Sequence, residues 1–323
     1  MEKYVLFDTS SGSQNMGDYI ILDSVEKEME FLFKNNFTIK LSTHSPVLHS
    51  YQCVNRNGKI KYCNEASNKF LAGTNMLNYN MMLPWCNWNV NIFNFKPYLN
   101  STLVGVGMNP NAKKINFYTK FLYKKILSKD TIHSTRDEKT KLFIESLGFR
   151  AINTGCATLW SLTTEKCSKI PEGKSDNVIF TLTDYCKDII RDQKLIDILI
   201  KNYDNVYYWV QGSNDLEYLK KFNNIENIKI VSPNLKSFSE VLSSKNIEYV
   251  GTRLHAGIYA MKHEVRSIIL IVDNRARDMK DSYNLVCIER DDIDNLEKLI
   301  NSSFKTRLNI DYKKINDFKN QFR

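Results

Sequence analysis

The fold is organised around the stretch GTRLHAG, residues 251–257, which lies between two apolar segments. Ile247 to Val250, just before it, has the pattern of a short buried strand. Thr252 is a suitable N-cap, and Ala256 to Met261 contains the small residues of a closely packed helix. The stretch therefore predicts a strand, a turn and a helix whose N-terminus offers backbone N–H groups and a positive dipole.

Arg253 and His255 are expected on the first turn of this helix. Taken singly, such residues are more often structural, because an arginine pairs with a nearby carboxylate and a histidine packs in the interior. Together at one helix start, a guanidinium, an imidazole and backbone N–H groups favour a bound anion. The stretch therefore predicts an anion-binding site but names no reaction.

Length and composition indicate a globular protein of two domains. The chain has 323 residues, with 42% hydrophobic and 25% charged side chains. Its longest strongly apolar run, Ile268 to Val272, is too short to span a bilayer, and residues 1–7 lack the shape of a signal peptide. Seven cysteines without a C-x-x-C pair argue against a disulfide framework and a zinc site. We therefore expect a soluble intracellular protein whose cysteines are reduced thiols.

The net charge of +9 fits an acidic ligand, nucleic acid or an anionic membrane surface. No zinc-finger, RRM or helix-turn-helix pattern accompanies the charge, so nucleic acid is not expected as a partner. The segment Lys113 to Ser128 mixes five lysines with aromatic residues and is expected to form a helix. Such a helix can lie on an anionic bilayer or receive a lipid-linked diphosphate, although a charge run is usually only a solvated face.

Strands and helices are expected to alternate along the chain. Tyr4 to Phe7 is the first expected strand, followed by a polar turn and a helix from Asp18 to Phe33. A second helix start, carrying Asn15, Gly17 and Asp18, therefore follows the end of a strand. In a parallel sheet this is the edge at which ligands bind.

The region from His44 to Trp88 is less regular. Asn57-Gly58 is expected as a hairpin turn, Lys69 to Ala72 as a strand, and Asn75 lies in the turn that follows. Trp85 falls in an expected loop, where a tryptophan either stacks on a sugar or packs onto the body of the protein. Asn75 and Trp85 are therefore candidates for contact with a carbohydrate.

A second arginine has the setting predicted for Arg253. Arg136 follows an expected strand, Ile132 to Thr135, and opens an expected helix. Two such arginines can close on one polyanion across a cleft. The alternative is a local pair between Arg136 and Asp137 or Glu138.

Residues 161–177 are polar and are expected to link two domains. Beyond them strands and helices alternate regularly, which implies parallel sheets covered by helices. The sequence therefore predicts an α/β protein of two Rossmann-like domains with parallel sheets facing a cleft. We expect an N-terminal domain over residues 1–165, a C-terminal domain over residues 176–303, and a terminal helix within residues 304–323 that crosses back to the first domain.

Several motifs together resemble the polysaccharide pyruvyl transferases. They are Gly12-x-x-Asn15-x-Gly17-Asp18, Arg136-Asp137-Glu138, Gly251-Thr252-Arg253-Leu254-His255 and the turn Asp273-Asn274-Arg275-Ala276. Their order and spacing cover nearly the whole chain. The resemblance implies a fold similar to the GT-B glycosyltransferases, phosphoenolpyruvate as the donor, a pair of glycan hydroxyls as the acceptor, and no metal or other cofactor.

The resemblance also implies roles for the motif residues on the donor side. Donor contacts carry over to Arg253, Leu254 and His255, with Thr252 beside them, and the role of a mid-chain arginine carries over to Arg136. Because imidazole exchanges a proton near neutral pH, we expect His255 to act as the general acid or base. Arg253 is expected to stabilise the charge of the reacting donor.

On the acceptor side, we expect Asn15, Gly17, Asn75 and Trp85 to contact the glycan, and Asp18 to position it for reaction. The acceptor is expected to be a sugar of a bacterial-type surface polysaccharide or its precursor, either free or lipid-linked. The enzyme would then work in the cytoplasm, free or peripheral at the inner face of the membrane. Two alternatives stay open: a GT-B-type sugar-nucleotide glycosyltransferase, and a non-catalytic protein that binds glycans or anions.

Overall fold

The computed structural model describes residues 1–54, 58–83, 87–109, 114–244 and 246–323. The chain forms two compact units, which we describe separately. Unit 1 comprises Met1–Ser13, Ile21–Trp160 and Asp311–Arg323, and unit 2 comprises Gln14–Ile20 and Ser161–Ile310. None of the helices in these described ranges is long and apolar enough to cross a membrane.

Unit 1 is built on parallel strands. They are β1 (Lys3–Asp8), β2 (Phe37–Ser42), β3 (Asn68–Ala72), β4 (Asn75–Leu77), β5 (Ser101–Val104), β6 (Gly107–Met108), β7 (His133–Thr135) and β8 (Ala151–Asn153). The main sheet has the order β2-β1-β3-β5, while β4 pairs with β6 and β7 with β8, all in parallel. All four residues of β5 are buried, as expected for a parallel strand covered on both faces.

Several helices accompany these strands within the described part of residues 1–160. They are α1 (Met16–Glu28), α2 (Glu30–Phe33), α3 (Ser50–Val54), α4 (Gly58–Glu65), α5 (Phe117–Ile126) and α6 (Glu138–Ser146). The continuous helix expected from Asp18 to Phe33 is wrong in two respects, because it begins at Met16 and is interrupted at Met29. The hairpin turn expected at Asn57-Gly58 is also wrong, because Gly58 begins α4; Asn57 lies outside the described residues.

Unit 2 alternates strands and helices regularly. Its elements are α7 (Thr164–Ser168), β9 (Asn177–Thr181), α8 (Ile189–Asn202), β10 (Asn205–Trp209), α9 (Asp215–Leu219), β11 (Lys229–Val231), α10 (Leu235–Leu242), β12 (Ile247–Gly251), α11 (Leu254–Lys262), β13 (Ser267–Ile271), α12 (Asn274–Tyr283), β14 (Cys287–Glu289) and α13 (Leu296–Ile300). The strands form one parallel sheet in the order β11-β10-β9-β12-β13-β14. This is the Rossmann order, in which the chain changes direction between β9 and β12. The carboxyl ends of those two strands therefore mark the place where such folds bind ligands.

Two expectations for unit 2 need correction. The segment 161–177 is not wholly a linker, since it contains α7. The motif that begins at Asp273 is a helix start rather than a turn, because Asp273 Oδ1 accepts a hydrogen bond from the Ala276 amide, 3.1 Å away, and caps α12. A 3-10 helix over Arg290–Asn295 leads directly into α13.

The last helix, α14 (Tyr312–Asn320), belongs to unit 1. Its buried residues are Ile315 and Phe318, and the Phe318 ring meets the Trp160 ring at a centroid distance of 5.9 Å. Lys319 Nζ lies 2.5 Å from a carboxylate oxygen of Glu28. The C-terminal segment therefore packs on the N-terminal unit.

Candidate functional site

Arg253 joins the start of α11 to the end of β9. Its backbone amide donates to Thr181 Oγ1 at 3.3 Å and its Nε donates to the Leu182 carbonyl at 2.9 Å. Arg253 is also the N-cap residue, with no side-chain capping bond, so the expectation that Thr252 caps the helix is wrong. The Thr252 hydroxyl instead bonds Thr183 Oγ1 at 2.8 Å. Polar side chains at the switch point thus hold the two strand ends together.

The Arg253 guanidinium is enclosed by carboxylates. Its Nη2 lies 3.0 Å from Asp184 Oδ1 and also donates to Asp215 Oδ1. Arg253 is 3% exposed and Asp215 is 0% exposed, so this pair is removed from water. Burial raises the pKa of Asp215, and the guanidinium opposes that rise. Burial works against the charge of Arg253, but Asp215, Tyr185 and Asp184 outweigh it and raise the pKa of Arg253.

A glycine makes this close pairing possible. A Cβ atom at Gly212 would lie 2.6 Å from Arg253 Nη2 and 3.1 Å from Asp215 Oδ1. The Gly212 amide also donates to Asp215 Oδ2 at 2.7 Å. The carboxylate partner that the sequence left open as an alternative for Arg253 is therefore present, and it is the first residue of α9.

A second arginine lies outside this buried pair, at the start of α12. Arg275 Nη2 donates to Tyr185 Oη at 2.7 Å and to Asp273 Oδ2 at 2.5 Å. The Arg253 and Arg275 Cζ atoms lie 5.0 Å and 5.9 Å from the centroid of the Tyr185 ring. Burial alone would lower the pKa of Arg275, but Tyr185 and then Asp273 raise it. The Arg275 side chain is 34% exposed, so it is the more accessible cation of the two.

His255 and Leu254 occupy the first turn of α11, and both are partly buried. His255 therefore lies beside the helix N-terminus, on the element that Arg253 anchors. The sequence predicts this placement. The structure adds that Arg253, which anchors this helix, is buried and paired with carboxylates. After the end of β12, His255 is therefore more exposed to solvent than Arg253.

The N-terminal motif is divided between the units, because Gly12 belongs to unit 1 whereas Asn15, Gly17 and Asp18 belong to unit 2. The Met16 amide donates to the Gln211 carbonyl at 2.9 Å. Asn15 Oδ1 accepts from the Gly17 amide and from Gln211 Nε2, each at 2.9 Å. Asp18, on the first turn of α1, is partly buried. Asn15, Gly17 and Asp18 are thus brought to the carboxyl end of β10, next to the segment that supplies Asp215.

Unit 1 brings together one predicted donor residue and one predicted acceptor residue. A Cβ atom at Gly107 would lie 2.7 Å from both Arg136 Cζ and Asn75 Oδ1, so the two side chains converge on this glycine. Arg136 precedes α6 rather than opening it, because Asp137 is the N-cap. The Arg136 side chain is 12% exposed and lies 3.7 Å from Asp137 Oδ2. Asn75 Oδ1 is buried without a hydrogen-bond partner among the described residues.

Sequence reasoning missed four residues at the switch point. Asp184, Tyr185 and Asp215 follow the ends of β9 and β10, which is a readable signal for ligand contact in a parallel sheet. Gln211 is 3% exposed, and its Oε1 has no hydrogen-bond partner within the part of the chain that the structure describes. Trp85, a predicted acceptor contact, lies outside the described residues.

Two parallel α/β units define a GT-B-like fold, and solved structures agree with this class. MnaA of S. aureus, solved with UDP, has a TM-score of 0.55 at 12% identity, over 100% of this chain and 97% of that one. The UDP-GlcNAc 2-epimerase of Methanocaldococcus jannaschii, solved with UDP-GlcNAc and UDP, has a TM-score of 0.54 at 10% identity, over 100% and 99%. At these identities the likeness shows the fold alone.

The sequence itself gives the family. It matches the family model described as Polysaccharide pyruvyl transferase over residues 15–274, which is most of the chain. The chain therefore belongs to the polysaccharide pyruvyl transferase family, which confirms the resemblance carried by its motifs. No curated protein matches the chain.

Proposed function

We propose that this protein transfers the pyruvyl group of phosphoenolpyruvate to a pair of hydroxyls on a glycan, forming a pyruvate ketal. The observation that carries the proposal is the family match over residues 15–274. That range contains Arg136 and the whole stretch 251–257, and it draws on both units. The Rossmann order of unit 2 supports it, since the stretch follows a strand at the switch point.

The reaction needs a proton donor and stabilisation of negative charge. Two sugar hydroxyl oxygens form bonds to C2 of phosphoenolpyruvate, and the bond from C2 to the phosphate oxygen breaks. The methylene carbon gains a proton and becomes a methyl group. The two hydroxyls lose two protons, of which one balances the methyl group and the other balances the departing phosphate.

His255 is the proposed proton-transfer group, because it lies on the first turn of α11 beside the backbone N–H groups of the helix start. A donor phosphate or carboxylate at that N-terminus would meet the positive end of the helix dipole. Leu254 and Thr252 flank the same point. Each charge-assisted hydrogen bond to the donor would contribute about 1.5–3 kcal/mol.

The two arginines of unit 2 then have different proposed roles. Arg253 is paired with the carboxylates of Asp184 and Asp215, so direct contact with the donor would require one of these ion pairs to break. Its geometry favours positioning α11 and the Asp184 loop. Arg275 is half-buried and already in contact with Tyr185, which suits a cation that meets the donor.

Within unit 2, the residues proposed to contact the acceptor are Asn15, Gly17 and Asp18. Within unit 1, Asn75 is proposed as an acceptor contact and Arg136 as a cation for the phosphoenolpyruvate donor. Asn75 supports this assignment because its buried Oδ1 has no hydrogen-bond partner among the residues that the structure describes, and a sugar hydroxyl could donate that hydrogen bond. Trp85 stays a prediction from the sequence. The acceptor sugar is proposed to belong to a surface polysaccharide or its precursor.

The test is to incubate the protein with phosphoenolpyruvate and a panel of surface-polysaccharide fragments. We expect release of phosphate that depends on the acceptor, and a glycan whose mass has increased by one pyruvate ketal. UDP sugars serve as the competing donors, because the solved proteins of this fold named above hold UDP or UDP-GlcNAc. Transfer from a UDP sugar, or binding of glycan without any product, would replace the proposal by one of its alternatives.

Replacing Arg275 with Gln is expected to raise the KM for phosphoenolpyruvate about tenfold, because one charge-assisted hydrogen bond to the donor is lost. The matched control is Arg277→Gln on the same helix, since Arg277 pairs with Glu289 at 2.8 Å and is half exposed. We expect the control to leave KM unchanged. Steady-state kinetics at saturating acceptor would measure both, and equal effects would remove Arg275 from the donor site.

A further inference from the structure

The positive charge of this protein is concentrated in one segment. Residues 66–129 contain eight lysines and no aspartate, glutamate, arginine or histidine. Since the whole chain has a net charge of +9, the rest of the sequence is nearly neutral. The segment lies within unit 1 and includes α5. A surface formed from it would face its surroundings with a single sign of charge.

The outward face of α5 combines exposed rings with exposed lysines. Phe117 is 85% exposed and Phe121 is 43% exposed. Lys120, Lys124 and Lys125 lie on the same side of the helix and are exposed, and Lys125 Nζ lies 5.6 Å from the centroid of the Phe121 ring. The opposite side is fully buried in the core of the unit. The helix therefore presents phenylalanine and lysine at helical spacing to the solvent.

Two neighbouring loops extend this apolar surface. Met82 and Phe93 are each 68% exposed, and Ile92 is 41% exposed. Hydrogen bonds hold both loops against α5. The Met81 amide donates to Thr119 Oγ1 at 2.8 Å, and the Ile92 amide donates to the Tyr118 hydroxyl at 3.2 Å. A cavity of about 330 Å³ lies between the loops and the helix.

We propose that this surface, which we call the α5 face and define as Phe117, Lys120, Phe121, Lys124, Lys125, Met82, Ile92 and Phe93, docks on an anionic lipid bilayer. Exposed rings and aliphatic side chains enter the boundary between headgroups and acyl chains, while lysines beside them bind anionic headgroups. Charge complementarity favours a membrane over a protein partner, because residues 66–129 contribute no carboxylate to the surface. The inference concerns binding alone and stands whether or not the proposed reaction is correct.

The test is flotation of the intact protein with vesicles. We expect the protein to float with phosphatidylcholine vesicles that contain phosphatidylglycerol, and to remain largely unbound when phosphatidylglycerol is left out. Binding should fall steeply as salt is raised from about 0.1 M to about 1 M, because the electrostatic attraction is screened. Failure to float with the anionic vesicles at the lower salt would overturn the proposal.

Two double variants separate the apolar and the charged contributions. Lys120→Gln with Lys124→Gln is expected to weaken binding roughly twenty-fivefold, because each lysine near an anionic surface contributes about fivefold. Phe117→Ser with Phe121→Ser should weaken it at least about tenfold and should leave folding intact, since both rings point outward. The matched controls are Ile190→Ser, at an 83% exposed residue of α8, and Lys236→Gln on α10.

Two further outcomes would contradict the proposal. Equal loss of binding in the controls would show that no particular surface is used. If the protein instead forms a dimer in sedimentation velocity, and Phe117→Ser with Phe121→Ser abolishes that dimer without changing flotation, the α5 face is an interface between copies of this chain. Activity on a glycan fragment free of lipid should be unchanged in all four variants under the proposed reaction, so loss of membrane binding and failure of the reaction are distinguishable.

Discussion

Replacing Arg253 with Met is expected to lower the free energy of unfolding by about 3–5 kcal/mol, because it leaves the carboxylate of Asp215 buried without its counter-ion. Asp215 is 0% exposed and burial already raises its pKa, so water cannot take over the role of the guanidinium. For a unit of this size the change corresponds to a fall in Tm on the order of 10 °C. Thermal unfolding followed by circular dichroism would measure it.

A second substitution tests the cause of that loss. In Arg253→Met with Asp215→Asn, the buried charge is removed as well, and the amide oxygen can still accept the hydrogen bond from Gly212. We expect this double variant to recover most of the Tm and little of the activity, because the ordering of α11 depends on the guanidinium bonds to Leu182 and Asp184. A change in Tm with no recovery in the double variant would point to lost packing instead.

The control for Arg253 is a surface arginine in the same unit. Arg191 pairs with Asp188 at 2.8 Å, but its side chain is 40% exposed, so Arg191→Met should cost less than about 1 kcal/mol. If Arg253→Met has an equally small effect on Tm and raises only the KM for phosphoenolpyruvate, then the Arg253 guanidinium contacts the donor directly. The positioning role would then be wrong, and the direct contact expected from the motif would be right.

The fold was readable from the sequence where the signal is local. Strand β12 and the helix after it follow from an apolar run, a glycine and a row of small residues, and they appear as Ile247–Gly251 and Leu254–Lys262. The cap of α12 is equally local, since Asp273 stands three residues before Ala276, although the residue types alone are also typical of a turn. The family motif was readable for the same reason.

What the sequence did not reveal depends on contacts distant along the chain. Arg253 and Asp215 are 38 residues apart, and no periodicity links them. The assignment of Gln14–Ile20 to unit 2 rests on backbone hydrogen bonds such as that between Met16 and Gln211. Such bonds do not depend on the side chains, so the sequence does not reveal them. Arg136 and Asn75 both approach Gly107, where a side chain would collide with each of them. In each case the partner is chosen by the sheet order, which brings strand ends together that the sequence keeps apart.

The proposed reaction predicts a large loss of turnover when His255 is replaced. If it transfers the proton, His255→Ala and His255→Gln should each lower kcat about 10²–10⁴-fold, which is the usual contribution of a positioned general acid or base. The Tm should change little, since His255 is only partly buried on the first turn of α11. Acceptor-dependent release of phosphate from phosphoenolpyruvate would measure the loss.

The same helix supplies the control. His263 ends α11 as its C-cap and packs against the Tyr259 ring at a centroid distance of 4.9 Å, at the opposite end of the helix from the proposed donor site. His263→Gln should therefore keep normal turnover, even if it lowers the Tm slightly. Near-normal turnover in both His255 variants would exclude proton transfer by His255. The helix N-terminus and Arg275 would then have to stabilise the departing phosphate without His255. Another group would have to supply the proton, and Asp18 is the carboxylate of the N-terminal motif that could do so.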